Sequence, residues 1–257
     1  MTAGPVLFAR YAYPPNALGY CGPGQPGELR EQMAYVDATG GDDRGLRQLA
    51  AGFEGAWPYL QLIASANGRS DPLAADVVAA YWVGNRLLDA VTPALLYRSM
   101  EDRFRGRSGS SWGRLSDTVS SDAVPHHNFH VFAVYPWVGL LRGGRLVDEP
   151  LRVLDRCRVR WGQVVSVGEH EARIRCRPLT YEGHLLALGE EREEVVSHHG
   201  SEPGASGVAP GDWVSLHWDW VCDRLDRRGL GSLQAMTARM LRVANAPALP
   251  GAAALLG

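Results

Sequence analysis

Cys157-Arg158-Val159-Arg160-Trp161-Gly162-Gln163-Val164 and Gly211-Asp212-Trp213-Val214-Ser215-Leu216-His217 decide how this chain is read. Both carry valine and tryptophan together with a glycine, a pattern that suits short strands. A thiol stands in the first and an imidazole ends the second, about sixty positions later. A small barrel would bring the two strands, and with them the two donors, together.

The surrounding sequence supports that architecture. Ala172 to Pro178 alternates Ile174 and Cys176 with Arg173, Arg175 and Arg177, which predicts one buried and one wet face. His184 to Leu188, Arg192 to Val196 and Trp220 to Leu225 read as further strands, and the Gly/Ser/Pro segment from His198 to Ala209 as a loop. Leu233 to Val243 closes the region as a helix. Residues 151–257 are therefore expected to form a small OB-like β-barrel with a C-terminal helix.

Residues 1–150 carry a longer period. Glu28 to Ala38 is amphipathic, and Asp42-Asp43 precede Leu46, Leu49, Phe53, Trp57, Leu60 and Ile63 at helical spacing, with Pro58 as a bend or break. Ser70-Asp71-Pro72 predicts the start of a helix running through Leu88, and Thr92-Pro93 the start of another to Phe104. Tyr11 to Gly27 reads as a loop rich in proline, glycine and aromatics. His126 to Leu141 favours extended structure, since its apolar residues are largely β-branched or aromatic and Pro136 interrupts them. The fold class is thus α+β, an N-terminal helical module followed by the barrel.

Composition narrows the chemistry. The basic residues are all arginine, which excludes Schiff-base and phosphate-gripping lysines, and a net charge of −2 gives no general attraction to nucleic acid. No apolar run has the length of a membrane span. Met1 to Pro5 lacks the basic and apolar segments of a secretory signal, so cytoplasmic residence is the expectation. None of the four cysteines, Cys21, Cys157, Cys176 and Cys222, forms a C-x-x-C pair, which disfavours a zinc knuckle.

Cys157 and His217 together offer a soft and a borderline donor, suited to iron, nickel, copper or zinc rather than magnesium or calcium. Asp219, two residues beyond His217, is the candidate for orienting that histidine. Trp161, Trp218 and Trp220 are candidates for a partner-docking surface, as are Tyr13 and Cys21 in the aromatic segment. His126, His127 and His130 form a histidine group whose expected role is structural or solvated.

In their order and spacing, Cys157, Gly162, Val164, Gly211, Asp212, Val214 and His217 resemble the HypC/HupF family of nickel–iron hydrogenase assembly chaperones. The resemblance covers roughly residues 155–245. It implies an accessory protein in which Cys157 binds an iron fragment and a partner, with His217 as its companion. The partner would be a hydrogenase large subunit or a maturation scaffold. Three departures accompany it: about 156 residues precede the cysteine, Trp161 stands where the family has proline, and the loop from His198 to Ala209 is an insertion. The whole chain also resembles an uncharacterised actinobacterial protein family with the same Tyr-Pro-Pro-Asn opening. Two other readings are open. One is a thiol-dependent enzyme using Cys21, Cys157 or Cys222 with a histidine base. The other is an OB-like nucleic-acid module using Arg156, Arg158, Arg160, Arg173, Arg175 and Arg177.

Overall fold

Nine of the ten described helices precede the first strand in the computed structural model, which describes residues 2–23, 26–39, 43–108, 122–143, 147–198 and 207–246. The first, α1 (Gly4–Ala17), is buried along its length from Gly4 to Asn16. It takes in Tyr11 to Ala17, the first part of the segment expected to be a loop. A helix apolar on every side shows no amphipathic period, so only its prolines were visible in the sequence. Its close fit is evident at Gly4, where a Cβ would lie 1.8 Å from the Leu73 carbonyl oxygen.

The next helices are α2 (Pro26–Thr39), α3 (Arg44–Ala51), α4 (Trp57–Ala66) and α5 (Ala75–Trp82). The break between α3 and α4 falls before Pro58, which sits in the first turn of α4, where its missing N–H costs nothing. Asp43 makes no side-chain cap to α3. The helix expected from Ser70 begins only at Ala75 and ends at Trp82. Leu87 and Leu88 lie on a separate 3-10 turn (Arg86–Ala90) beyond Gly84, whose φ of +95° ends the helix. α6 (Pro93–Ser108) follows Thr92 as predicted and runs past its expected end at Phe104.

His126 to Leu141 is helical, not extended. It forms the short α7 (His127–Phe129), a π-helical turn (His130–Val134) and α8 (Trp137–Arg142). Ala123 to Val134 is buried throughout, so tertiary packing overrides the strand propensity of its residues. The last of the nine is α9 (Asp148–Cys157). Cys157 therefore ends a helix rather than opening a strand.

The strands then follow as β1 (Arg160–Val167), β2 (Glu171–Cys176), β3 (Leu179–Glu182), β4 (Leu185–Leu188), β5 (Arg192–Ser197), β6 (Trp213–His217) and β7 (Trp220–Arg224). Side chains of β2 alternate between exposed and buried, as the sequence predicts. Pairing runs β1-β2-β5-β7-β6 and returns to β1, closing a ring of five strands. Gly162 is required there, since a Cβ would lie 2.2 Å from Ile174 Cγ2 on β2. Gly211 turns the chain into β6 at φ +92° while its N–H bonds the Val164 carbonyl. β3 and β4 form a separate hairpin through Gly183 and His184, both with positive φ. α10 (Arg227–Asn245) closes the chain, capped by Asp226 accepting from the Gly229 N–H.

The ring holds a small core of its own around Val164, Ile174, Val214 and Leu216. The larger core is continuous from Val6 through Trp218 to Val243. The expected boundary at residues 150 and 151 falls inside α9. Asn128 stitches the two parts together. Its Oδ1 accepts from Val159 N at 2.8 Å and its Nδ2 donates to Val159 O at 3.0 Å, as a neighbouring strand would.

Candidate metal centre

The carboxy-terminal end of α9 gathers the site. The last carbonyls of a helix have no partner within it. Here the Arg156 carbonyl accepts from Trp218 N at 2.7 Å, and the Cys157 carbonyl accepts from His127 Nε2 at 2.8 Å. The first bond draws the β6–β7 turn, with His217 at its edge, onto the helix end; the second draws α7. Trp218 is held in the left-handed region at φ 54° in that turn. As a result one ligand atom each of His127, Cys157 and His217 lie within 4.8 Å of one another. All three residues are buried, with Cys157 8% and His217 1% exposed.

The hydrogen bonds assign the tautomers. His217 Nδ1 donates to the Tyr11 carbonyl at 2.6 Å, so its lone pair is on Nε2. That Nε2 is buried and lies beside the Cys157 carbonyl without a well-formed hydrogen bond to it. His127 donates from Nε2 to Cys157, leaving Nδ1 to accept from Tyr81 Oη at 3.3 Å. Burial holds both rings neutral: it lowers His217 to about 4, and it places His127 well below the usual histidine range with the neighbouring His217 adding to the effect. Burial pushes the Cys157 thiol well up, with Cys21 adding to the shift.

This donor set fits a soft or borderline cation. Neutral imidazoles are the form that binds metal, and a buried thiol loses its proton to a bound cation far more readily than to water. Tetrahedral zinc or iron with these ligands needs donor separations of about 3.3–3.8 Å, so the side chains must close by about 1 Å. His217 Nε2, buried and without a well-formed hydrogen bond, is the polar atom that such an ion would satisfy.

A family model described as a family of unknown function (DUF6390) matches residues 1–250. The chain belongs to that family. The match spans the helical part, the strand ring and all three residues of the site. No curated protein and no solved structure matches the chain.

In this DUF6390 member Asp219 and Trp218 are placed differently from expectation. Asp219 does not orient His217; it is largely exposed and pairs with Arg156 and Arg160, while the Tyr11 carbonyl holds the histidine. Trp218, expected on a docking surface, is 2% exposed. Tyr13 is buried against the Trp220 ring, with centroids 5.4 Å apart, and Trp161 and Trp220 are half-buried. Cys21 is half-buried, and burial pushes its thiol up to about 12. Burial also raises Cys176 and Cys222. A thiol nucleophile needs the opposite shift.

The basic residues of the nucleic-acid reading are engaged within the chain. Arg158 pairs with Asp155, Arg156 and Arg160 with Glu194, and Arg173 and Arg175 with Glu193. Arg177 donates to the Gly189 and Leu188 carbonyls.

Of the histidine group, His126 accepts from Asn128 N and His130 bonds Tyr59 Oη. His127 is the one that reaches the site. The sequence pointed away from it, because the pairing of α7 with the end of α9 is a contact across thirty residues with no local pattern. Among the described residues no helix is long and apolar enough to cross a membrane.

Proposed function

We propose that this protein is an accessory factor in metalloenzyme assembly of the nickel–iron hydrogenase kind, handling an iron fragment through Cys157 and His217, with His127 packed beside them. The observation that carries the reading is the gathering of one ligand atom each from His127, Cys157 and His217 within 4.8 Å of one another in a buried setting. The strand order supports it. A cysteine just ahead of β1 and a histidine at the end of β6 lie at one mouth of a five-stranded ring, in keeping with an OB-like, HypC-like domain. Iron as cargo would meet one thiolate and the His217 imidazole, with His127 able to join only by giving up its bond from Tyr81 Oη, which leaves positions for ligands that the iron carries.

Burial favours a second reading at the same site. With Cys157 and His217 nearly inaccessible, the metal is a resident one that ties α7, α9 and β6 together, and any hand-over requires α1 to withdraw.

The test is anaerobic expression beside a nickel–iron hydrogenase and its maturation proteins, comparing wild type with Cys157→Ala and His217→Ala. The assembly reading expects both variants to lose bound iron and to lower the yield of mature large subunit. Loss of metal with normal maturation selects the resident site. Unchanged metal content and unchanged maturation overturn both.

A further inference from the structure

The Tyr13-Pro14-Pro15-Asn16 segment has no part in the site as described, yet its chemistry reaches it. In an α-helix the N–H of residue i bonds the carbonyl of residue i−4. Proline has no N–H, so Pro15 cannot bond the Tyr11 carbonyl and Pro14 cannot bond that of Arg10. The prolines do not end the helix, because α1 continues to Ala17. Their consequence is a buried carbonyl at Tyr11 without its ordinary i+4 helical partner, and this carbonyl accepts from His217 Nδ1 at 2.6 Å.

Tyr11 is held firmly enough to act as a reference point. Its Oη bonds Ser215 Oγ at 2.7 Å, so backbone and side chain of one residue grip Ser215 and His217 on the same face of β6. Its ring stacks on Trp82 at 5.2 Å, and Trp82 in turn lies 5.4 Å from the His217 ring.

We infer that Pro15 is a positioning residue for the metal centre: by leaving the Tyr11 carbonyl to His217 Nδ1–H, it fixes the histidine in the tautomer that presents Nε2 to a soft metal. A carbonyl behind a ligating imidazole sets both tautomer and ring orientation, and loss of such a partner typically costs 10–100-fold in metal affinity. The inference rests on the metal reading above, but its first half concerns the protein without metal.

Two measurements test it. Long-range proton–nitrogen correlation spectra of protein labelled with ¹⁵N-histidine report the His217 tautomer directly, with assignment by loss of the signal in His217→Ala. Wild type is expected to be the Nδ1–H form. Pro15→Ala supplies an N–H that competes for the Tyr11 carbonyl, so the Nε2–H form should become populated and the affinity for Co(II) fall at least about tenfold. Pro14→Ala, whose new N–H is directed at Arg10 instead, is the matched control and should leave the tautomer and the affinity as in wild type. Circular dichroism establishes that each variant is folded.

A wild-type Nε2–H tautomer overturns the inference even if Pro15→Ala fails to fold. So does a folded Pro15→Ala with unchanged tautomer and affinity. If wild type shows the Nδ1–H form and Pro15→Ala shifts it, yet no Co(II) binds, the tautomer device stands and the metal reading falls.

Discussion

Binding of a divalent metal to this site should release a single proton, and pH is the perturbation that counts it. Burial lowers His217 to about 4 and His127 well below the usual range, so both imidazoles are already neutral at pH 5. Burial raises the Cys157 thiol well above its usual range, so it stays protonated at pH 8 and must ionise when a metal binds. Apparent affinity should therefore rise about tenfold per pH unit, roughly 1.4 kcal/mol, at a constant slope from about pH 5 to pH 8.

An exposed site with the same ligands would behave differently. Its histidines would titrate near 6.5, and the slope would steepen toward three protons below that pH. Competition between the protein and a chromogenic chelator for Zn(II) or Co(II), corrected for the chelator's own protonation, measures the slope. Cys157→Ser should abolish the sulfur-to-cobalt charge-transfer absorption. A slope near zero would mean that sulfur is not a ligand. A slope of two or more below pH 6 would mean that the histidines are not held neutral, and either result refutes the reasoning.

Two further outcomes concern the fold. Asn128→Ala leaves the buried N–H and C=O of Val159 without partners and should cost about 2–5 kcal/mol, read as a lower urea midpoint; a loss under about 1 kcal/mol would show that Asn128 is not the tie between the two parts. Burial lowers His126 to about 3 and His217 to about 4, so the unfolded chain binds protons below about pH 6.5 that the folded chain refuses. Stability of the metal-free protein should then fall by at least about 4 kcal/mol between pH 7 and pH 5, His127 adding in the same direction, and a urea midpoint unchanged over that interval would contradict it.

The residues explain how much of this was legible in advance. Strand positions, the alternation of β2 and the glycines at 162 and 211 follow from local pattern, because one wet face and one dry face impose a period of two. Helices with a solvent face, such as α2, could be read for the same reason at a period of 3.6. α1 and α7 could not: buried on all sides, they carry no period, and their prolines and β-branched residues point to loops and strands.

Cys157 and His217 could be singled out from their residue types and their place beside predicted strands. What brings His127 to them is a pair of orphan carbonyls at the end of α9, and what holds His217 is a carbonyl from a helix two hundred residues earlier. The amino-acid sequence by itself determined which donors exist and which stretches alternate, since both are local properties. Only the tertiary structure decided which donors meet, which tautomer each adopts and that the site is closed. Those depend on unpaired backbone groups finding partners across the whole chain.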